Sequence, residues 1–349
     1  GAPRRRNSGR AKTKAALPRA PVVVRCGMPV VSVLMACHRD TPFLRPAIAS
    51  VWSQTLPDLE LVLVDDWAGL SVDRLGEVGR DPRLRLIHFP ANRGIPAAHN
   101  AALAAAGGGF IALLDHDDLM LPRRLERQVA ALTADPKLGL VSSLAETIDE
   151  EGRVVGREFA LVSGDDQRRY SAYASPVVTP AYTGRREVFG KLPYREAFSH
   201  AADFDFIARV AEECALGAVP DVLLRYRRHA TQATQEHAAL IEHQRAQIRL
   251  ATALRRAGQA EDVNETPLPA GDQSQISLGW AGRALAEDCF ALAAYQARRA
   301  VALRRDLVTA TRASSLAWRA WTRAPAVDRG LVARMFLSGP VKALGVKAG

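Results

Sequence analysis

Four polar residues in a row, Asp115-His116-Asp117-Asp118, follow the apolar stretch Phe110–Leu114. Carboxylates at the end of a buried segment are costly unless they hold a cation or accept hydrogen bonds. Carboxylate oxygens are ligands for Mg²⁺ or Mn²⁺, and Mg²⁺ typically binds one or two carboxylates together with substrate phosphates. The cluster therefore predicts a divalent-ion site that would neutralise a diphosphate leaving group. An alternative is that Asp118 caps the helix beginning near Pro122.

Three further groups could do chemistry. Asp65-Asp66 ends a second apolar stretch, Leu59–Val64. Asp203 and Asp205 lie in a predicted helix over residues 201–213, and side chains two positions apart do not share a helix face. Only one of them can therefore enter a site, and Asp203 could also be a helix N-terminal acid favoured by the dipole. His229 could be a metal ligand, or a surface histidine beside two arginines that either contact phosphate or are solvated.

These residues must be positioned by a sheet. Short apolar runs predict strands at residues 30–35, 59–64, 84–89 and 110–114, and helices are predicted at residues 42–54, 96–106 and 122–133. Strands that alternate with helices indicate βαβ units and a mainly parallel sheet flanked by helices. Ligands of such sheets bind beyond the carboxyl ends of the strands, where both acid clusters fall.

The remainder of the chain is less regular. Short strands are expected over residues 138–228, followed by a helix over 236–257. A polar linker near residues 258–276 precedes predicted helices at 278–305, 306–322 and 328–345. The expected domains are a disordered basic arm over 1–28, a catalytic domain over 29–235 and a helical C-terminal region over 236–349.

Charge is concentrated at the two ends of the chain. Residues 1–28 carry eight Lys/Arg and no acid, residues 298–349 carry eleven Lys/Arg and two Asp, and the middle has a net charge of −7. This distribution disfavours nucleic-acid binding, which places basic charge on the folded domain. The basic C-terminal helices, which contain aromatic residues, could instead contact an anionic membrane surface. The alternative is that they pack on the catalytic domain.

Compartment is inferred from two features. The four cysteines are widely spaced, which suggests neither a disulfide framework nor a zinc site. No apolar run reaches the roughly 18 residues of a transmembrane helix. We expect a cytoplasmic protein, with peripheral contact at the inner face of the membrane as the open alternative.

The motifs occur in an order that resembles glycosyltransferase family 2, whose members have the nucleotide-sugar-binding GT-A fold. The resemblance covers about residues 29–230. The matching segments, in chain order, are Val31-Ser32-Val33-Leu34-Met35, Ser50-Val51-Trp52-Ser53-Gln54-Thr55, Leu61-Val62-Leu63-Val64-Asp65-Asp66, Asn92-Arg93-Gly94-Ile95, Asn100-Ala101-Ala102-Leu103, Phe110 to Asp118, Ala202-Asp203 and Tyr226-Arg227-Arg228-His229.

The resemblance implies a donor site. Asp66 matches the acid that hydrogen-bonds the nucleobase, and Arg93 lies where a base-contacting basic residue can occur. Ala36 and His38 occupy positions that line the nucleotide pocket, and Asp115 matches the first residue of the family's Asp-x-Asp motif. A nucleotide-sugar donor is implied, with a UDP-sugar as the first candidate.

It also implies a metal and a general base. Asp117 matches the second Asp of the motif and is the best metal or diphosphate ligand, with Asp115 beside it. His229 matches a histidine that can reach the metal, which would be Mn²⁺ or Mg²⁺. Asp203 matches the general base that takes the proton from an acceptor hydroxyl in an inverting transfer.

Four departures from the family pattern concern the pocket. The chain has Ala36-Cys37-His38-Arg39 where the family usually has Pro-x-Tyr-Asn, Trp67-Ala68 in place of Gly-Ser, and His99 in place of Arg. Ala202 replaces the Glu before the base. The first three leave the donor nucleotide open, and the last removes an acceptor contact but leaves the base.

The sequence thus predicts a metal-dependent, inverting glycosyltransferase of bacterial cell-surface polysaccharide or glycoconjugate synthesis, with a saccharide or lipid-linked acceptor. A non-catalytic relative that binds a nucleotide or glycan is the main alternative. The presence of the four acids that match the family pattern, Asp66, Asp115, Asp117 and Asp203, argues against it. A nucleotidyltransferase ranks lower, because it would need a Gly-rich, Lys-containing loop where Ala36-Cys37-His38-Arg39-Asp40 stands.

Overall fold

The structure, a computed structural model, describes residues 28–158, 160–172, 175–256, 258, 282, 285, 293, 294, 297, 300, 301 and 307–324. The predicted basic arm, apart from Met28, lies outside the described residues. So do the predicted helix over 328–345 and all of the predicted linker except residue 258. The predicted helix over 278–305 is described only at isolated positions.

One sheet organises the described part of the chain. Its strand order is β3-β2-β1-β4-β8-β6-β9-β5, with β7 paired to β6. The strands are β1 Val31–Cys37, β2 Leu59–Asp65, β3 Leu84–His88, β4 Phe110–Leu113, β5 Leu119–Met120, β6 Leu138–Ile148, β7 Val154–Arg157, β8 Thr183–Arg185 and β9 Ala215–Arg227.

Helices alternate with these strands and flank the sheet, which confirms the predicted α/β class. They are α1 Leu44–Trp52, α2 Val72–Leu75, α3 Ile95–Ala105, α4 Arg124–Ala134, α5 Gly164–Tyr170, α6 Arg186–Lys191, α7 Ala202–Glu213, α8 Ala233–Glu236, α9 Ala238–Arg256 and α10 Leu307–Arg323, with short 3₁₀ turns at Gly76–Arg80 and Thr179–Ala181.

The N-terminal half is the predicted parallel sheet. Strand β1 pairs in parallel with both β2 and β4, and β2 pairs in parallel with β3. The apolar residues of β1 and β2 are almost fully buried, as expected of strands covered on both faces. The register places Cys37 opposite Asp65, so the residues that follow these two strands begin at the same edge of the sheet.

The C-terminal half is mixed rather than parallel. Strand β8 runs antiparallel to β4 and β6, whereas β6 and β9 form a long parallel pair. The two-residue strand β5 pairs antiparallel with the end of β9, with Leu119 opposite Arg225. This pairing carries the residues after β9 back to the acid cluster between β4 and β5.

The long helix α9 packs against α7. An ion pair between Arg255 and Glu212 joins them at 2.8 Å, and the Gln244 side chain bonds the backbone of His200 at 2.9 Å. The predicted helix over 236–257 is therefore largely confirmed, and its longer part, α9, packs on α7. No described helix combines the length and the apolar character needed to cross a bilayer.

Candidate active site

A cavity of about 360 Å³ opens at the carboxyl edge of the parallel strands. The loops after β1, β2 and β4 form one side of it, and the start of α7 with the segment after β9 forms the other. Every predicted site residue except Arg93 lines this cavity, namely Ala36, His38, Asp66, Asp115, Asp117, Asp203 and His229. The fold therefore brings together residues that are up to 193 positions apart in the sequence.

The acid cluster between β4 and β5 has three members rather than two. Carboxylate oxygens of Asp115, Asp117 and Asp118 all lie within 4.8 Å of one another. Asp118 is fully buried; its Oδ1 accepts a 2.8 Å bond from the Arg227 amide, and its Oδ2 has no hydrogen-bond partner. Asp118 is not the helix cap, since Arg123 precedes α4 and makes no side-chain cap bond.

Burial sets the electrostatics of this cluster. Burial, with the nearby charges of Asp117 and Asp203, raises the pKa of Asp115 to about 8. Burial likewise raises the pKa of Asp118 well above its usual value, and the charges of Asp117 and Asp115 add to the shift. Buried Arg124 opposes both shifts, while burial lowers its own pKa to about 9. One buried guanidinium thus faces several carboxylates.

These residues fit a divalent cation. Three carboxylates converge, one buried oxygen lacks a partner, and hard oxygen ligands are what Mg²⁺ and Mn²⁺ select. Asp115, Asp117 and Asp118 would hold the ion. In the sequence, Asp118 could belong to the ion site or cap a helix, because its position next to a helix start is equally typical of a cap.

His229 contacts the cluster. Its Nε2 lies 2.9 Å from Oδ2 of Asp117, and its Nδ1 lies 3.1 Å from the Thr231 hydroxyl. The imidazole is almost buried and packs on the Phe43 ring at 5.0 Å between centroids. His229 is thus oriented from both ring nitrogens, beside the carboxylate with which it was predicted to act.

Asp66 anchors the loop before α3. Its two carboxylate oxygens accept bonds from the amides of Arg93, at 2.7 Å, and Gly94, at 2.9 Å. The Arg93 guanidinium stacks over Phe89, 4.8 Å from the ring centroid, and does not line the cavity. The Arg93 backbone therefore helps to hold this loop, and a contact of Arg93 with the donor stays a prediction.

Helix α7 orients its two acids differently. The Asp203 carboxylate lines the cavity and accepts bonds from the Thr179 hydroxyl, at 2.8 Å, and its own helix through the Phe204 amide, at 2.7 Å. Asp205 is fully buried between Arg195 and Arg209, with a 2.9 Å bond to Arg209. Asp205 is therefore structural, and only Asp203 is available to the cavity.

The arginines around His229 bond to protein groups rather than line the cavity. Buried Arg227 donates to the backbone oxygens of Asp117, at 2.9 Å, and Asp149, at 2.8 Å. Arg225 pairs with Glu146 at 3.4 Å, and Arg228 pairs with Glu158 at 2.9 Å. Arg227 thus fixes the loop that carries the acid cluster, instead of contacting phosphate as one alternative supposed.

Sequence reasoning overlooked two histidines of the site, His200 and His237. Six of the chain's eight histidines line this cavity, at positions 38, 99, 116, 200, 229 and 237. Burial lowers the pKa of His99 to about 4, although the Asp203 charge opposes the shift. His200 and His237 lie in none of the segments that match the family pattern, so the sequence contains no signal for them.

Comparisons with known proteins find similarity to glycosyltransferases. The sequence model of the family described as glycosyl transferase family 2 matches residues 32–192. An uncharacterized glycosyltransferase from Methanocaldococcus jannaschii is 29% identical over 208 residues, which cover 57% of this chain and 71% of that protein. A second, from Haemophilus influenzae, is 25% identical over 218 residues, covering 58% and 67%.

A shorter match is the succinoglycan biosynthesis protein ExoO of Rhizobium meliloti, 37% identical over 102 residues and 29% of each chain. Among solved structures, residues 1–349 of S. aureus TarS in complex with UDP give a TM-score of 0.46 at 17% identity, covering 91% of this chain and 93% of that one. A longer TarS structure gives 0.47 at 19% identity, covering 81% of this chain and 54% of that one.

Proposed function

We propose that the protein moves a sugar from a nucleoside diphosphate donor to an acceptor hydroxyl with inversion at the anomeric carbon, in keeping with the glycosyl transferase family 2 model that matches residues 32–192. One observation carries the proposal. Asp115 and Asp117 of the acid cluster line the same cavity as the carboxylate of Asp203. A diphosphate leaving group and an attacking hydroxyl need these two kinds of group.

The donor would lie along the edge formed by the loops after β1, β2 and β4. Asp66 there holds the Arg93–Gly94 backbone, and Ala36 and His38 line the same end of the cavity. A UDP-sugar is the first candidate for the donor. A divalent ion held by the acid cluster would act as a Lewis acid toward the diphosphate.

Asp203 would be the general base. Its carboxylate accepts a bond from the Thr179 hydroxyl, which orients it without neutralising its charge. The acceptor hydroxyl would approach from the side of α7 and give its proton to Asp203 as the oxygen attacks the sugar. Such proton transfer typically contributes about 10²–10⁴-fold to the rate.

The acceptor would be a saccharide or a lipid-linked saccharide of a bacterial surface polysaccharide or glycoconjugate, made at the cytoplasmic side of the membrane. Support comes from one relative, named for succinoglycan biosynthesis. Contact of the basic C-terminal segment with the membrane would suit a lipid-linked acceptor.

A thermal-shift screen tests the donor assignment. Nucleoside diphosphates and their sugars are added with and without Mn²⁺, since a ligand that binds only the native state raises the melting temperature. We expect the largest shift for a nucleotide sugar with Mn²⁺. Slow hydrolysis of that donor by the wild type, but not by Asp203→Asn, would separate an enzyme from a non-catalytic binding relative.

A further inference from the structure

A group of basic side chains lines the cavity in addition to the donor residues, and His38 belongs to both sets. His38 and Arg39 come from the loop after β1, His200 immediately precedes α7, and His237 lies between α8 and α9. The His200 and His237 rings are 4.2 Å apart between centroids. We call these four residues the basic mouth.

Hydrogen bonds to neighbouring residues hold part of the basic mouth in place. His200 Nδ1 lies 2.8 Å from the Ser199 hydroxyl, and the His200 amide donates to Oε1 of Gln244 on α9 at 2.9 Å. Gln244 also donates to the Ser199 hydroxyl at 3.1 Å. Helix α9 therefore fixes one histidine of the pair before any ligand arrives, and such preorganisation lowers the cost of binding.

The Arg39 guanidinium and the imidazole N–H groups of the basic mouth are possible hydrogen-bond donors to a negative ligand. The acid beside them is Glu236, which lies 3.6 Å from Arg39 in a half-exposed pair. Burial lowers the pKa of His200, and the neighbouring His237 and His38 lower it further. Imidazoles that disfavour each other's protonation would be relieved by an anion placed among them.

A transition metal fits less well. A pair of histidines needs at least a third protein ligand for a tetrahedral site. Among the described residues, the group of three carboxylate, imidazole or thiolate ligands close enough to hold an ion is the Asp115, Asp117 and Asp118 cluster.

We propose that the acceptor carries a phosphate-class anion, bound at the basic mouth by His38, Arg39, His200 and His237. This inference rests on the proposed transferase function. Its placement follows from the chain, since His200 lies three residues before Asp203 and both line one cavity. The anion would sit on the acceptor side and hold the hydroxyl near the Asp203 carboxylate.

The test uses glycerol 3-phosphate as the probe and glycerol as its neutral counterpart. Both are titrated into the full chain in EDTA, by calorimetry and by NMR of the imidazole protons. The variants are the His200→Gln/His237→Gln pair and Arg39→Gln, an exposed loop position that leaves the core untouched. His243→Gln is the control, because His243 is exposed on the same α9 helix and does not line the cavity.

We expect the wild type and His243→Gln to bind glycerol 3-phosphate but not glycerol. The paired variant and Arg39→Gln should each bind it about tenfold more weakly, the effect of losing a hydrogen bond to a charged group. If both the paired variant and Arg39→Gln bind glycerol 3-phosphate as tightly as the wild type, the proposal is wrong. It is also wrong if Zn²⁺ shifts the His200 and His237 resonances and glycerol 3-phosphate does not.

Failure of the proposed transferase function can be distinguished from failure of the acceptor inference. If no nucleoside diphosphate binds the wild type with Mn²⁺, the transferase assignment fails whatever the phosphate titration shows. If the nucleotide binds but the basic mouth is indifferent to phosphate, the acceptor inference alone is wrong. Melting temperatures of all variants are measured in parallel to establish that each is folded.

Discussion

The imidazole Nε2 of His229 lies 2.9 Å from Oδ2 of Asp117, although 112 residues separate them in the chain. The contact exists because β5 pairs with the end of β9, and because Asp118 and Arg227 bond across the same junction at 2.8 Å. The position of the Asp117 carboxylate is therefore set by β9 as much as by its own loop.

Asp117→Ala should weaken nucleotide binding in the presence of Mn²⁺ by at least about tenfold, since a carboxylate ligand of the ion and the partner of His229 are both lost. Calorimetry of UDP with Mn²⁺ measures it. Asp73→Ala, at an exposed acid on α2, is the matched control and should bind like the wild type. Equal affinity of all three proteins for UDP with Mn²⁺ would show that Asp117 does not contribute to nucleotide binding.

Asp203→Asn should abolish most transfer while donor affinity is preserved. Asparagine is nearly isosteric and can still accept the Thr179 bond, but it cannot take the acceptor proton. The expected loss in turnover is about 10²–10⁴-fold. Turnover is measured as UDP released from the donor, and donor affinity by calorimetry. A variant that keeps wild-type turnover would mean that the base is another group of the cavity.

Asp205→Asn, only two residues away, should act on stability. The Asp205 carboxylate is fully buried between Arg195 and Arg209, and removing one partner of a buried ion pair leaves uncompensated charge. Such changes typically cost about 3–5 kcal/mol of unfolding free energy. Urea unfolding measures it, with Asp165→Asn at an exposed acid of α5 as the control. A stable Asp205→Asn protein would show that the two arginines find other partners.

The sequence predicted the parallel half of the sheet because its strands are apolar throughout and end in acids. The mixed half has no such pattern. Strands β5 and β8 are two and three residues long, and their partners are distant in sequence. Residue types also do not say which atoms act. The Arg93 amide, rather than its guanidinium, bonds the Asp66 carboxylate. The Arg227 amide likewise bonds one oxygen of Asp118.

Trp67 lies in a conformation that tryptophan disfavours. Its φ is +73°, and among the described non-glycine residues it alone has a positive value. The Asp65 carboxylate imposes the turn by accepting bonds from the Ala68 and Leu70 amides, at 2.6 and 2.9 Å. The ring is 69% exposed, so packing offsets little of the roughly 1–2 kcal/mol cost.

Trp67→Gly and Trp67→Asn should therefore be at least as stable as the wild type, because both residues tolerate a positive φ. For Trp67→Gly the gain in unfolding free energy is smaller by about 0.4–1 kcal/mol, because glycine adds conformational entropy to the unfolded chain. Trp67→Val should be less stable than either, since a β-branched residue is strained there. Chemical unfolding gives the order, and a Val variant as stable as the Gly variant would contradict it.

His99 should make stability depend on pH. Burial lowers its pKa to about 4 in the folded protein, against about 6.5 in an unfolded chain. Between these values the unfolded state binds more protons at this residue than the folded state does, so the unfolding free energy rises with pH across this window. The contribution approaches about 1.4 kcal/mol per pH unit inside the window and vanishes above it.

His99→Gln should therefore flatten the pH dependence of the unfolding free energy between about pH 4 and 6.5, whatever constant offset the substitution adds. The quantity to compare is the slope of the unfolding free energy against pH, not its absolute value. Asp203 and every other titrating group remain in both proteins, so a difference in slope reports on His99. Urea unfolding at half-unit pH steps supplies it, and His243→Gln on α9 controls for the loss of one histidine. Parallel curves for the wild type and His99→Gln throughout the window would mean that the fold does not hold His99 neutral, and that a protonated imidazole stands beside the Asp203 carboxylate.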